Sequence, residues 1–250
     1  YKRQGGDATR SDAAADEGAV QDGSREDPAA AATAALQVRE CVCGHFLPFN
    51  NSLPMYLNIY IPTSLFSCLQ EAVEEAGRQA ESVRLEGDLR TKRSGNAAYA
   101  KMQDVRQKLP AYGMRANVLA AVESAQMTVI AGATGCGKTT QVPQIIFDDA
   151  VESGRGGDTS IICTQPRRIS AMAVAERVAD ERAESVGDVV GYSIRLESKT
   201  SRNTRILFCT TGVLLRRLQS DPDLTSVSHI IVDEVHERDL NSDFLLILLR

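Results

Sequence analysis

Gly132-Ala133-Thr134-Gly135-Cys136-Gly137-Lys138-Thr139 fits the phosphate-loop pattern G-x-x-x-x-G-K-[ST]. Ahead of it runs the strand-like Met127-Thr128-Val129-Ile130-Ala131, and behind it a helical pattern begins. That strand–loop–helix setting separates a true loop from a chance match. Glycines let the backbone curl so that successive N–H groups point inward at oxygens, and the helix that follows aims its positive dipole end at the same place. Lys138 adds a point charge at the β- and γ-phosphates of a nucleoside triphosphate, and the Thr139 hydroxyl is the expected magnesium ligand. Gly132, Thr134, Gly135, Cys136, Gly137 and Thr140 are expected to line the nucleotide. The bland alternative is a Gly-rich turn with a solvated lysine.

About ninety residues on, Ile230-Ile231-Val232 is a short β-branched run that reads as a buried strand, with Asp233-Glu234 at its carboxyl end. Ligands of doubly wound α/β sheets bind at that end. Asp233 is placed to orient the magnesium, and Glu234 to help hold it and to polarise the water that attacks the γ-phosphate. One acid after an apolar strand is weak evidence, but two followed by Val235-His236-Glu237-Arg238-Asp239 are far more specific.

These blocks carry a family resemblance. Lys108-Leu109-Pro110-Ala111-Tyr112, the loop from Gly132 to Gln141, Thr164-Gln165-Pro166-Arg167-Arg168, Gly191-Tyr192-Ser193-Ile194-Arg195, Thr210-Thr211-Gly212 and Asp233 to Asp239 are similar, in order and spacing, to those of the first RecA-like lobe of a DEAH-box helicase, in the RNA-helicase-A-like group of superfamily 2. Coverage runs from about residue 99 to 250. Val235 stands where the family most often has Ala, a small apolar exchange.

The resemblance implies an ATP-dependent RNA helicase that hydrolyses ATP with Mg2+. His236 resembles the residue linking nucleotide state to a second RecA-like lobe; by itself it reads as a polar residue at a strand end. Arg167 and Arg168 follow the apolar Ile161-Ile162-Cys163, so they project from the sheet's carboxyl edge, where family members hold the RNA backbone. Guanidinium forks suit phosphate, although an ion pair or helix-start contact is the structural alternative. Thr211 and Gly212 follow the strand Ile206-Leu207-Phe208-Cys209, and a hydroxyl with a main-chain N–H at a helix start makes a phosphate clamp. Arg195 resembles another nucleic-acid contact. Arg177 matches a position where related enzymes stack an arginine on adenine, and it is also placed for a helix-surface pair with Glu181 at i, i+4. Backbone contacts of this kind predict salt-sensitive, sequence-tolerant binding to single-stranded or structured RNA. A phosphate-loop ATPase that remodels protein, or a non-catalytic RNA-binding scaffold, are the rivals; intact Lys138, Thr139, Asp233 and Glu234 disfavour the scaffold, and Arg168, Thr211 and Arg195 the protein-only motor.

The 250 residues are 43% hydrophobic with a formal charge of −5, which argues against a generally basic nucleic-acid coat. From Lys101 onward, 18 Lys and Arg stand against 19 Asp and Glu, so the acid surplus lies upstream and local arginine placement must attract a polymer. Aromatic residues are 5%, with no tryptophan, which suits a backbone binder better than a base-stacking platform. Cys41, Cys43, Cys68, Cys136, Cys163 and Cys209 suggest no disulfide framework and no common zinc spacing, so a reducing compartment, cytoplasmic or nuclear, is expected.

Residues 1–37 are rich in Ala, Gly, Asp and Glu and are expected to be disordered. Residues 38–70 are nearly uncharged and interrupted by Pro48, Pro54 and Pro62; three readings stand. A membrane span needs about twenty uninterrupted apolar residues, which this stretch lacks. A packed strand pair is the second. The third is a translated intron, because joining Gln37 to Glu71 restores one Ala- and Glu-rich pattern and the flanking codons can spell splice-like ends; transcript reads keeping the insert in polysomal message would remove it. Residues 71–100 read as a charged helical extension interrupted by Gly77 and Gly87, solvated and not part of the core.

Residues 101–250 alternate strands at 127–132, 160–164, 189–194, 205–210 and 229–233 with helices near 113–125, 138–150, 168–185, 212–219 and 241–250. This is the rhythm of an α/β, RecA-like phosphate-loop domain with a mainly parallel sheet. The family's second lobe and its arginine fingers have no counterpart in the 250 residues, so this stretch alone is expected to bind weakly and turn over little.

Overall fold

A computed structural model describes residues 63–249. The expectations for residues 1–37, and for 38–70 up to Pro62, lie outside the described residues. Helix α1 (Thr63–Gly95) is followed by α2 (Ala97–Arg106), α3 (Pro110–Gly113), α4 (Arg115–Ser124) and α5 (Lys138–Glu152). Then come β1 (Ile161–Gln165), α6 (Arg168–Glu181), β2 (Val190–Ile194), β3 (Glu197–Lys199), β4 (Ile206–Thr210), α7 (Thr211–Ser220), β5 (His229–Val232) and α8 (Leu240–Leu248). Asn96 separates α1 from α2, and its side-chain oxygen accepts the Tyr99 N–H at 3.0 Å, a helix-start cap. Pro110 opens α3, where its missing N–H costs nothing.

The five strands lie in the order β3-β2-β4-β1-β5. All neighbours are parallel except the β2–β3 hairpin. Parallel strands must be covered on both faces, and the alternation within them shows how. Ile161, Cys163, Val190, Tyr192, Ile206 and Phe208 meet α5, α6 and the second half of α1 in one core; Ile162, Cys209, Leu214, Leu224 and Leu245 form a second core toward α7 and α8. Helix α6 approaches the sheet closely because its inward positions Ala171, Ala175 and Ala179 are small and fully buried.

Two features depart from the sequence reading. Helix α1 runs through Gly77 and Gly87 without a break, and Leu85 and Leu89 are buried in the core. Both glycines lie where a Cβ would meet open space, so their effect is a modest loss of helix propensity, which packing of the apolar positions overrides. The strand expected over 127–132 does not form: Met127 and Val129 are exposed, and the Thr128 hydroxyl donates to Ala121 O instead. A strand exists through its partners, and the segment pairs with none of the five strands; β5 is the sheet's outer edge on this side.

Cys136, Cys163 and Cys209 are free thiols. Burial pushes the last two thiols up, Cys209 to about 12. Among the described residues no helix is long and apolar enough to cross a membrane.

Candidate nucleotide site and nucleic-acid edge

The loop before α5 closes on itself. Gly135 and Gly137 adopt left-handed backbone, with φ of 78° and 95°, which costs a residue with a Cβ but not glycine. Lys138 Nζ donates to Gly132 O at 2.6 Å and Ala133 O at 3.1 Å, so the ammonium sits inside the curl. The loop is held from behind, where Ala111 N–H donates to Cys136 O at 3.0 Å and Leu109 underlies Gly137. Residues 108–112 thus brace the phosphate loop.

Asp233 reaches the same place from the end of β5. Its Oδ2 accepts from Thr139 Oγ1 at 2.5 Å and from Gln165 Nε2 at 2.7 Å, while Oδ1 accepts the Glu234 N–H at 2.9 Å. The loop and the acid pair, 94 residues apart, are thus one site. A hydroxyl beside a carboxylate is a hard oxygen pair, the donor set that suits Mg2+ when substrate phosphates supply further oxygens. Gln165, which fixes the carboxylate, has no motif role of its own in the sequence; its signal there is its place at the end of β1, next to β5.

Glu234 has φ 54° and Arg238 φ 53°, two strained non-glycine residues flanking the 3-10 turn Val235–Glu237. The turn sets His236 Nε2 3.2 Å from Glu234 Oε2 with the imidazole 80% exposed. Arg238 grips Asp243 at 2.9 Å, and that hydrogen bond holds the Asp243 carboxyl below its usual range. A cleft of about 1540 Å³ is lined by the phosphate loop, Asp233, Glu234, His236 and, from α6, Arg177 and Glu181. Arg177 makes the expected pair with Glu181, Nε to Oε1 at 2.8 Å, and keeps 52% of its side chain exposed.

The nucleic-acid candidates follow strands that are neighbours. Arg195 comes after β2, Thr211 and Gly212 after β4, and Arg167 and Arg168 after β1, so the strand order lines them up along one carboxyl edge beside Asp233. Arg168 Nη2 donates to Arg195 O at 3.3 Å, and Arg167 pairs with Glu237 at 3.2 Å. Arg167, Arg168 and Arg195 are all exposed. Thr211 differs from the expected hydroxyl clamp: it is 3% exposed and its Oγ1 lies 3.3 Å from Ser242 Oγ. Its position opens α7 over the second core, which turns the side chain inward; Gly212 is the exposed part of this block.

Residues 113–245, just over half the chain, match the model of the DEAD/DEAH box helicase family. The chain is 62% identical over 145 residues to the DExH-box ATP-dependent RNA helicase DExH1 of Arabidopsis thaliana, covering 58% of this chain and 15% of that protein. It is 53% identical over 179 residues to the RNA editing associated helicase 2 of Trypanosoma brucei brucei, covering 72% of this chain and 8% of that protein. Against the human ATP-dependent DNA/RNA helicase DHX36 the figures are 54% over 162 residues, 64% of this chain and 16% of that protein. The chain thus spans a small fraction of the length of these relatives.

Proposed function

This chain belongs to the DEAD/DEAH box helicase family, and from that premise we propose that it is the ATP-binding lobe of an ATP-dependent RNA helicase, which couples hydrolysis to movement along, or unwinding of, RNA. The observation that carries the reading is the 2.5 Å contact between Thr139 and Asp233, which joins phosphate loop and acid pair in one cleft.

Each side chain then has a task. Backbone N–H groups of residues 132–139 hold the phosphates, and Lys138 offsets charge at the β- and γ-oxygens. Thr139 and Asp233 would hold Mg2+, with Glu234 close by; when bound, the ion neutralises charge on the phosphate oxygens. Glu234 orients and polarises the attacking water. His236, exposed and touching Glu234, is placed to report the state of the γ-phosphate to whatever packs over the cleft, a second RecA-like lobe in the family's manner. Arg177 offers a guanidinium face to the base. Arg167, Arg168, Arg195 and the N–H groups near Gly212 grip successive phosphates, which favours backbone binding over base reading.

That RNA is the polymer is supported by the names of the relatives, one of which includes DNA. Titration of ATP into the complete gene product, with and without single-stranded RNA and single-stranded DNA, tests the reading. RNA should stimulate turnover, and Lys138→Ala should abolish it. Turnover indifferent to RNA would favour the protein-remodelling alternative, and absence of ATP binding the scaffold.

A further inference from the structure

Glu181 ends α6 with its side chain 1% exposed. Burying a carboxylate is costly unless it is paired and hydrogen-bonded, and here both oxygens have partners. Oε2 accepts from Gln141 Nε2 at 2.9 Å and Gln144 Nε2 at 2.8 Å; Oε1 accepts from Arg177 Nε at 2.8 Å. Both glutamines sit on α5, the helix that grows out of the phosphate loop, and Gln141 is two residues past Thr139. Gln141 is itself fixed from the far side, because its Oε1 accepts from Arg106 Nε at 2.9 Å and Arg106 is 1% exposed.

One oxygen of Glu181 is therefore locked to the helix that presents the triphosphate cradle, and the other to the arginine on the cleft wall. Arg177 is half exposed, and an exposed arginine without a partner samples many rotamers. A charge-assisted bond to a rigid acceptor removes that freedom. A neutral amide would satisfy two glutamine N–H groups less well and would leave the guanidinium untethered.

We propose that Glu181 is a positioning residue that holds Arg177 against the nucleobase in fixed register with the phosphate loop, so that base and phosphates meet one rigid unit of Gln141, Gln144, Glu181 and Arg177. This rests on the reading above that Arg177 meets the base. Discrimination between a nucleotide and a bare polyphosphate then depends on Glu181 although it touches neither.

The complete gene product and its Glu181→Gln, Glu181→Asp, Arg177→Ala and Arg177→Ala/Glu181→Gln variants are titrated with ATP and with inorganic tripolyphosphate, with thermal midpoints recorded alongside. Each single variant should weaken ATP about five-fold while tripolyphosphate stays within about two-fold, and the double variant should be no worse than Arg177→Ala. Glu181→Asp pulls the carboxylate back by one methylene and keeps its charge, so it supplies the answer if Glu181→Gln does not fold. Equal loss of ATP and tripolyphosphate in a folded Glu181 variant would overturn the proposal, since it would mark general support of α5. So would an unchanged ATP affinity, or an effect that adds to that of Arg177→Ala. An Arg177→Ala variant that binds ATP like the wild type would overturn the base contact itself, a result distinct from failure at Glu181 alone.

Discussion

Gly135 and Gly137 both have positive φ, yet a Cβ would meet different surroundings at each. At Gly135 nothing lies within 4 Å, whereas at Gly137 it would come 3.1 Å from Leu109 Cδ1 and 3.2 Å from Gln141 Cγ. Gly135→Ala should therefore cost only the backbone term, roughly 1 kcal/mol. Gly137→Ala should cost more, about 2–3 kcal/mol, and also disturb Gln141 and weaken ATP binding. Urea denaturation and ATP titration of the two variants check the order; equal effects would mean that Leu109 yields without resistance. The residues of this site were readable where a motif has fixed spacing, as in Lys138, Thr139, Asp233 and Glu234. Gln165, the inward Thr211 hydroxyl and the Glu181 bonds to Gln141 and Gln144 were not, because they come from contacts across the fold, 68 residues for Gln165 and Asp233, 31 for Thr211 and Ser242 and 40 for Glu181 and Gln141.

Helix α1 shows what an element gains from one close approach. Gly157 donates its N–H to Ser82 Oγ at 2.8 Å, and a Cβ there would stand 2.0 Å from Arg78 O. Backbone on backbone cannot give way, so Gly157→Ala should pry α1 from the domain and lower stability by about 3 kcal/mol. A lowered urea midpoint, with increased proteolysis between residues 77 and 95, is the expected readout. A midpoint unchanged within error would mean that α1 adds little. Strand and helix alternation from 138 onward was legible because apolar periodicity there coincides with burial. Continuity of α1 was not, since Gly77 and Gly87 read as breaks until Leu85 and Leu89 were seen in the core. Strand β3 escaped because it is three exposed residues held only by pairing with β2.

Across the whole molecule, Asp148 on α5 ties the N-terminal helices to the sheet domain. Arg182 Nη1 donates to it at 2.6 Å and Arg106 Nη2 at 3.3 Å, and Arg182 lies 3.2 Å from Glu184, which Lys92 of α1 meets at 2.6 Å. Burial alone would raise the Asp148 carboxyl, but the two guanidiniums outweigh it and hold the group below its ordinary value of 3.8. At His229 it is burial itself that depresses the imidazole below 6.5. A depressed folded pKa, for acid or base, stabilises the fold above the unfolded value and loses that contribution as pH falls through the folded one. The thermal midpoint should thus hold above about pH 6.5, sag slightly below it from His229, and fall further below about pH 4 as Asp148 and the other arginine-paired carboxyls take protons. Asp148→Asn, which strands two buried guanidiniums, should lose roughly 3–5 kcal/mol at neutral pH and make the acid fall shallower. A variant as stable as the parent would show the cluster to be slack.

The outer edge of β5 turns a question of fold into one of handling. Among the described residues no strand pairs with β5 on the side away from β1, and Leu240, Phe244 and Ile247 stand exposed shortly after it in the chain. An uncovered edge offers a template for an extended segment, including one from a second copy of the chain. Purified alone, the 250 residues should self-associate more as concentration rises, and sedimentation that stays the same over a dilution series would show the edge to be covered.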